Sequence, residues 1–250
     1  MEFSEGGGAA SLSDLIFLAA FAFVGPLVDY ATFWSAHDRL SQSDPAWARR
    51  WVWKSSICHA WLLVALGAAI WIASGRSWAS FGFTVPDGWR SWTAVALILL
   101  AASYYALGAM SIIRSPETRA KVRQQCAPVI ALLPQSRSEL AWFGGVSLTA
   151  GFCEEFLFRG YFIWTLTPWL GWWGAAALSL LIFSAGHLYQ GWNGVLRTGI
   201  FGVLFTALVA IFDSLWPSIA LHVLVDLSGG VMAWLALRDE PFDETARKQD

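Results

Sequence analysis

Residues 139–166 read ELAWFGGVSLTAGFCEEFLFRGYFIWTL. The stretch is long enough to cross a bilayer, whose hydrocarbon core of about 30 Å takes about 20 mostly apolar residues in a helix. Yet Glu154, Glu155 and Arg159 stand well inside it. Each ionisable side chain at the centre of such a helix costs about 2.5–3.5 kcal/mol on insertion scales, so a cluster of three points to function. The stretch predicts a membrane helix built around a polar site rather than a plain anchor.

Further apolar segments lie on both sides, at 15–36, 55–73 and 92–113 before it and at 171–187, 198–212 and 217–237 after it. Together they predict an all-α fold: a multi-pass transmembrane helical bundle of about seven spans, forming a single integral membrane domain over residues 1–250. The fifth and sixth segments are short and the fourth is long, which predicts broken or tilted helices around a site cavity in the last four spans. Residues 1–12 are Gly-rich, carry Glu2 and Glu5 and lack the basic start of a cleaved signal peptide, so they are expected to be a flexible N-terminal tail. Residues 238–250 are expected to be a charged C-terminal tail. The connector 114–138 predicts either a helix on the membrane surface or a simple loop, and residues 81–86 a turn or re-entrant element.

Composition agrees. Charged residues make up 14% of the chain, against about 25% in ordinary globular domains. Hydrophobic residues make up 56%, and the 17 Trp outnumber the 16 Lys and Arg. Mean hydropathy is +0.51. Disorder, coiled coil and collagen are excluded. A net charge of −2 supplies no basic surface for a nucleic acid. Cys58, Cys126 and Cys153 are too far apart for a redox motif or zinc knuckle and read as apolar filler. Of the 16 basic residues, 13 fall in the connectors 37–54 and 114–138, at Arg197 and in the C-terminal tail. This bias predicts a cell (inner) membrane protein with its N-terminus outside and its C-terminus cytoplasmic. Trp34, Trp89, Trp92, Trp142, Trp169 and Trp216 are expected at the membrane interfaces, and Trp61 and Trp71 in packing.

Helical spacing separates the roles of the two glutamates. Glu155 and Arg159 are four apart and share a face, acid first, which is the favourable order for an intrahelical ion pair. Glu154 lies about 100° away and has no basic residue one turn along. It is therefore the candidate reactive carboxylate, free to exchange a proton where Glu155 is held. Phe183 and His187 share a face in the fifth segment, as do His222 and Asp226 in the seventh. Phe183 is expected to shield the site, and Asp226 to orient the His222 imidazole.

Two chemistries fit these residues. Glu154, His187 and His222 form a ligand set for a divalent metal such as zinc, with an open position for water. Alternatively Glu154 and His187 act jointly as general base on water, and His222 stabilises the developing oxyanion.

The three elements in order, Glu154-Glu155-x-x-x-Arg159, Phe183-x-x-x-His187 and His222-x-x-x-Asp226, resemble the motifs of the CAAX protease and bacteriocin-processing family (CPBP, Abi). That family of intramembrane endopeptidases includes the type II CAAX prenyl proteases. The resemblance covers about residues 139–230. It implies that Glu154 and His187 activate water, that His222 and Asp226 bind the oxyanion, and that Glu155 and Arg159 hold the site together. Prenyl proteases of the family usually carry Asn where Asp226 stands, and an ionised carboxylate only accepts hydrogen bonds. Asp226 therefore donates to an oxyanion only when protonated, and otherwise orients His222 or assists a metal. Many bacterial members are described as metalloproteases.

The expected function is an intramembrane endopeptidase acting on a protein or peptide substrate, lipidated or membrane-tethered, with the lipid bilayer as its setting. The rival readings are a proton-coupled transporter using Glu154, Glu155 and Arg159 as a relay, and a non-proteolytic membrane scaffold or immunity protein of the same fold. In straight helices His187 and His222 would lie roughly 15 Å apart along the membrane normal, so a shared site requires at least one interrupted helix.

Overall fold

The computed structural model describes residues 10–40 and 45–238. The tail expected over 1–12 lies outside them for residues 1–9, as does the C-terminal tail from residue 239 and the side chain of Trp34. Nine α-helices follow one another among the described residues: α1 (Leu12–Leu40), α2 (Pro45–Ala73), α3 (Trp78–Phe81), α4 (Gly88–Arg114), α5 (Pro116–Cys126), α6 (Arg137–Glu154), α7 (Ile163–Ala185), α8 (Gly191–Phe212) and α9 (Trp216–Leu237). A π-helical stretch, Glu155–Phe162, joins α6 to α7, and a short 3-10 turn, Leu188–Gln190, precedes α8.

Among the described residues, five stretches are long and apolar enough to cross a membrane: Ala46–Ala73, Gly88–Arg114, Arg137–Ala185, Leu188–Phe212 and Trp216–Leu237. Residues Leu12–Gly25 of α1 add a shorter apolar run. The chain is an all-α helical bundle of an integral membrane protein. The 49-residue stretch Arg137–Ala185 contains the fourth and fifth expected segments, divided at Gly171, whose φ of 64° is a left-handed conformation. Glycine enters that region at no steric cost, so the helix breaks here. The second arm then folds back, since the Ser179 hydroxyl donates to the Phe158 carbonyl at 2.8 Å. That arm, residues 171–185, spans only about 22 Å, so α7 ends before it has crossed the bilayer. The sixth segment is longer than expected, because α8 already starts at Gly191.

The centre of the bundle is α6 against α9, with α2 on the other side of α6 and α4 and α8 on the other sides of α9. Along α6 the contacts run from Phe143 to Gly151 while along α9 they run from Gly230 to Val223. The two helices are therefore antiparallel. A Cβ on Gly151 would stand 2.7 Å from the Val223 backbone nitrogen; the absence of a side chain is what lets these backbones approach. An aromatic cluster of Phe17, Phe21, Trp71, Phe81, Phe156, Tyr161 and Trp164 packs α1, α2 and α3 onto the π-helical stretch. Leu99, Leu100 and Leu107 on α4 are exposed, as suits a face turned to lipid.

Helix capping and ion pairing are combined at both ends of α2. Ser11 and Asp14 cap α1 reciprocally, backbone to side chain. Asp14 is fully buried and receives both guanidinium nitrogens of Arg76, at 2.8 and 2.6 Å, just beyond the end of α2. The Tyr161 hydroxyl donates to the same carboxylate at 2.6 Å. At the start of α2, Arg49 donates to buried Glu139 at 2.8 Å, and Ser136 accepts the Glu139 backbone N–H at the head of α6. In the connector 114–138 the basic run forms helix α5, capped by Ser115, while Ala127–Leu132 is 3-10 helix. Arg123 on α5 donates to the Ala236 carbonyl at the end of α9. Gly82 closes α3 in a left-handed turn and residues 83–87 have no regular secondary structure; Thr84 exchanges hydrogen bonds with Asp213 and Ser214 at the entry to α9.

Candidate active site

The polar cluster is carried on the π-helical stretch. Such stretches are rare and frequently sit at functional sites. Here the backbone is held from two sides. The ring of Phe81 lies directly on Gly160, where a Cβ would meet Phe81 Cε1 at 2.2 Å, and Tyr161 is tied to Asp14.

Glu155, the first residue of the stretch, is completely buried and is the hub of the site. Its Oε1 accepts from Arg159 Nη1 at 2.9 Å and from His222 Nδ1 at 2.8 Å. Its Oε2 accepts from the Ser218 hydroxyl at 2.5 Å. Arg159 is equally buried; it also donates to the Gly202 carbonyl, and its guanidinium carbon lies 4.2 Å from the centre of the Phe183 ring. The ion pair expected from the i, i+4 spacing is present, and its carboxylate holds His222 as well.

Because a carboxylate only accepts, the His222 Nδ1 carries the hydrogen in its bond to Glu155. Its other nitrogen, Nε2, then lies 3.7 Å from Glu154 Oε2 and 3.7 Å from Asp226 Oδ2. Phe205 stacks on the imidazole face, with ring centroids 4.4 Å apart. Asp226 is thus not the residue that orients His222, as the i, i+4 spacing predicted. Glu155 does so, and the Asp226 carboxylate stands beside the opposite nitrogen.

His187 follows the early end of α7. Its Nδ1 donates to the Phe183 carbonyl at 2.9 Å, which leaves Nε2 as the acceptor of the neutral ring. Phe183 is buried between the two imidazoles, 5.1 Å from the ring of His187 and 6.4 Å from that of His222. Asp226 lies within electrostatic reach of both histidines. The roughly 15 Å offset of straight helices is removed because α7 stops short and the chain turns back at Gly186 to Gln190. Glu154, Glu155, Arg159, Phe183, His187, His222 and Asp226 therefore all belong to one neighbourhood of α6, the π-helical stretch, α7 and α9.

Among the described residues, no three His, Cys, Asp or Glu side chains stand close enough together to hold a metal ion. The set Glu154, His187 and His222 is not gathered as a ligand cage, while the Nδ1 bond of His222 to Glu155 leaves its Nε2 open. This arrangement does not fit a preformed three-ligand metal site.

Sequence spacing does not reveal Ser218, Gly202 or Phe205. Ser218 stands one helical turn before His222, a signal that helical periodicity could have supplied. The other two come from α8, which carries no site motif. With the geometry in hand, comparison with known proteins gives a family for this part of the chain. Residues 136–228 match the family model described as type II CAAX prenyl endopeptidase Rce1-like. Over this segment, somewhat more than a third of the chain, the protein is similar to that family of endopeptidases. No curated protein and no solved structure matches the chain.

Proposed function

We propose that this chain is an intramembrane endopeptidase in which Glu154 and His187 activate a water molecule and His222 with Asp226 stabilises the oxyanion. The observation that carries the reading is the placement of His222 Nε2, 3.7 Å from both the Glu154 and the Asp226 carboxylates. Those separations exceed direct hydrogen bonds and are of the size that one intervening oxygen spans. Glu154 takes a proton from water as its oxygen attacks the scissile carbonyl carbon. His187, its Nδ1–H committed to Phe183, offers Nε2 to the same water. The negative charge that develops on the carbonyl oxygen is met by His222 Nε2–H, with the positive charge of that imidazolium balanced by Glu155. Asp226 assists as a donor in its protonated form. As the C–N bond breaks, Glu154 returns its proton to the departing amine.

The family description makes a membrane-tethered peptide with a lipidated cysteine near its C-terminus the first substrate class to test. The basic bias of the connectors supports an orientation with the N-terminus outside and the C-terminus cytoplasmic. The test is cleavage of a membrane-tethered peptide library, prenylated and unprenylated, by purified protein beside Glu154→Ala and His187→Ala, with and without a chelator. The proposal expects cleavage that resists the chelator and is lost in both variants while they remain folded. Chelator-sensitive cleavage would make this a metalloenzyme. Absence of cleavage by a folded wild type overturns the reading in favour of a transporter or scaffold, and proton flux lost in Glu154→Gln identifies the former.

A further inference from the structure

We infer that Ser218 is a positioning residue, which fixes the Glu155 carboxylate so that this group holds His222 in its working orientation; the inference rests on the reading of His222 as part of the reaction. Serines in membrane helices commonly return their hydroxyl to the carbonyl four residues back. Ser74, Ser103, Ser147 and Ser184 of this chain do so. Ser218, completely buried at the first turn of α9, instead donates to Glu155 Oε2 across 63 residues of sequence, at 2.5 Å.

The consequence follows from the torsional freedom of a glutamate. Rotation about its last bond is broad and roughly two-fold, so the carboxylate plane is not set by its own stereochemistry. Oε1 is shared between the Arg159 and His222 donors, and these two contacts alone leave the second oxygen to turn. Ser218 and His222 lie four residues apart on the same face of α9, so together they hold one carboxylate oxygen each. The imidazole is thereby fixed with its Nδ1–H on Glu155 and with Nε2, the oxyanion donor of the proposed reaction, aimed between Glu154 and Asp226. Loss of the hydroxyl leaves Oε2 buried without this donor.

The test compares full-length wild type, Ser218→Ala, Ser218→Cys and Ser218→Thr in lipid nanodiscs, with two readouts. The first is kcat and KM on whichever tethered peptide the wild type cleaves. The second, which requires no turnover, is the proton–nitrogen correlation spectrum of the four histidines, with His222 assigned by its disappearance in His222→Gln. The expected result is a fall in kcat on the order of tenfold for Ser218→Ala, with KM changed less than about twofold. The His222 signal should change from one doubly protonated ring, its Nδ1–H bonded to Glu155, to a mixture of ring forms. Ser218→Thr restores both, and Ser218→Cys falls between them. An unchanged His222 pattern in a folded Ser218→Ala, or a loss confined to thermal stability, overturns the inference. Inactivity of the wild type defeats the proposed protease function alone, because the spectrum still decides whether Ser218 sets the ring.

Discussion

Replacing Arg159 with alanine isolates the cost of an unbalanced charge inside the bundle. The side chains of Arg159 and Glu155 are 1% and 0% exposed. Arg159 supplies one of the three donors to Glu155, a bond to the Gly202 carbonyl, and a cation held over Phe183. In Arg159→Ala the carboxylate keeps Ser218 and His222 but loses its permanent countercharge. Breaking a buried pair in this way costs about 3–5 kcal/mol. At about 2–4 °C of melting temperature per kcal/mol for a chain of this length, the expected fall is on the order of 10 °C. The assay is thermal unfolding in detergent followed by tryptophan fluorescence. The double variant Glu155→Gln/Arg159→Met removes both charges and should recover most of the loss, since apolar replacement of a buried pair is often neutral. It should remain catalytically silent, because His222 has lost its ionised anchor. An Arg159→Ala protein melting within about 2 °C of wild type, or a double variant no more stable than the single one, refutes this reasoning.

Gly160→Ala forces a methyl against the buried Phe81 ring, 2.2 Å from Cε1, and should destabilise by about 1–3 kcal/mol, with most of it regained in Gly160→Ala/Phe81→Leu; denaturant or thermal melts of the two variants check it. Tyr161→Phe removes one donor from the Asp14 carboxylate while keeping Arg76, so its cost should be about 1 kcal/mol, well below that of Arg76→Ala; equal losses would mean that the tyrosine hydroxyl is the main tie. Burial holds the Cys126 thiol above its ordinary range, with Arg197 pulling the other way. In a Cys58→Ala/Cys153→Ala background its alkylation should therefore be slower at pH 8 than that of a cysteine peptide and should still be climbing above about pH 9; a rate equal to the peptide's contradicts the burial argument.

What could be read from the residues was whatever is local along a helix. The Glu155–Arg159 pair and the shared face of Phe183 and His187 follow from 3.6-residue periodicity and hold in the fold; of the seven apolar segments expected, five stretches among the described residues have the length to span, with the fourth and fifth in one and the sixth starting earlier. The errors came where periodicity is blind. Spacing paired His222 with Asp226, whereas the closer acceptor is Glu155, 67 residues earlier in the sequence. The π-helical stretch has no composition of its own, and its backbone is fixed by Phe81 and by Asp14, both far away in sequence. The break between the fourth and fifth segments, expected between 166 and 171, falls at Gly171 with its positive φ; the early end of α7 is what the apolar pattern does not mark. That early end, with the turn at Gly186 to Gln190, is what brings His187 toward His222.

The tie between Asp14 and Tyr161 bridges 147 residues and so bears on how the protein is made. At typical synthesis rates of about 5–20 residues per second, the first helix emerges on the order of ten seconds before its tyrosine partner exists. During that interval Asp14 has only Arg76 to neutralise it, once the second helix has followed. The early helices are thus left as a charge-balanced pair waiting in the bilayer, and arrival of the π-helical stretch completes the contact at the same moment as it delivers Glu155 and Arg159. Closing of this N-terminal seam therefore comes before the polar cluster is complete: Gly202, Ser218 and His222, which hold Arg159 and Glu155, follow them by 43, 63 and 67 residues.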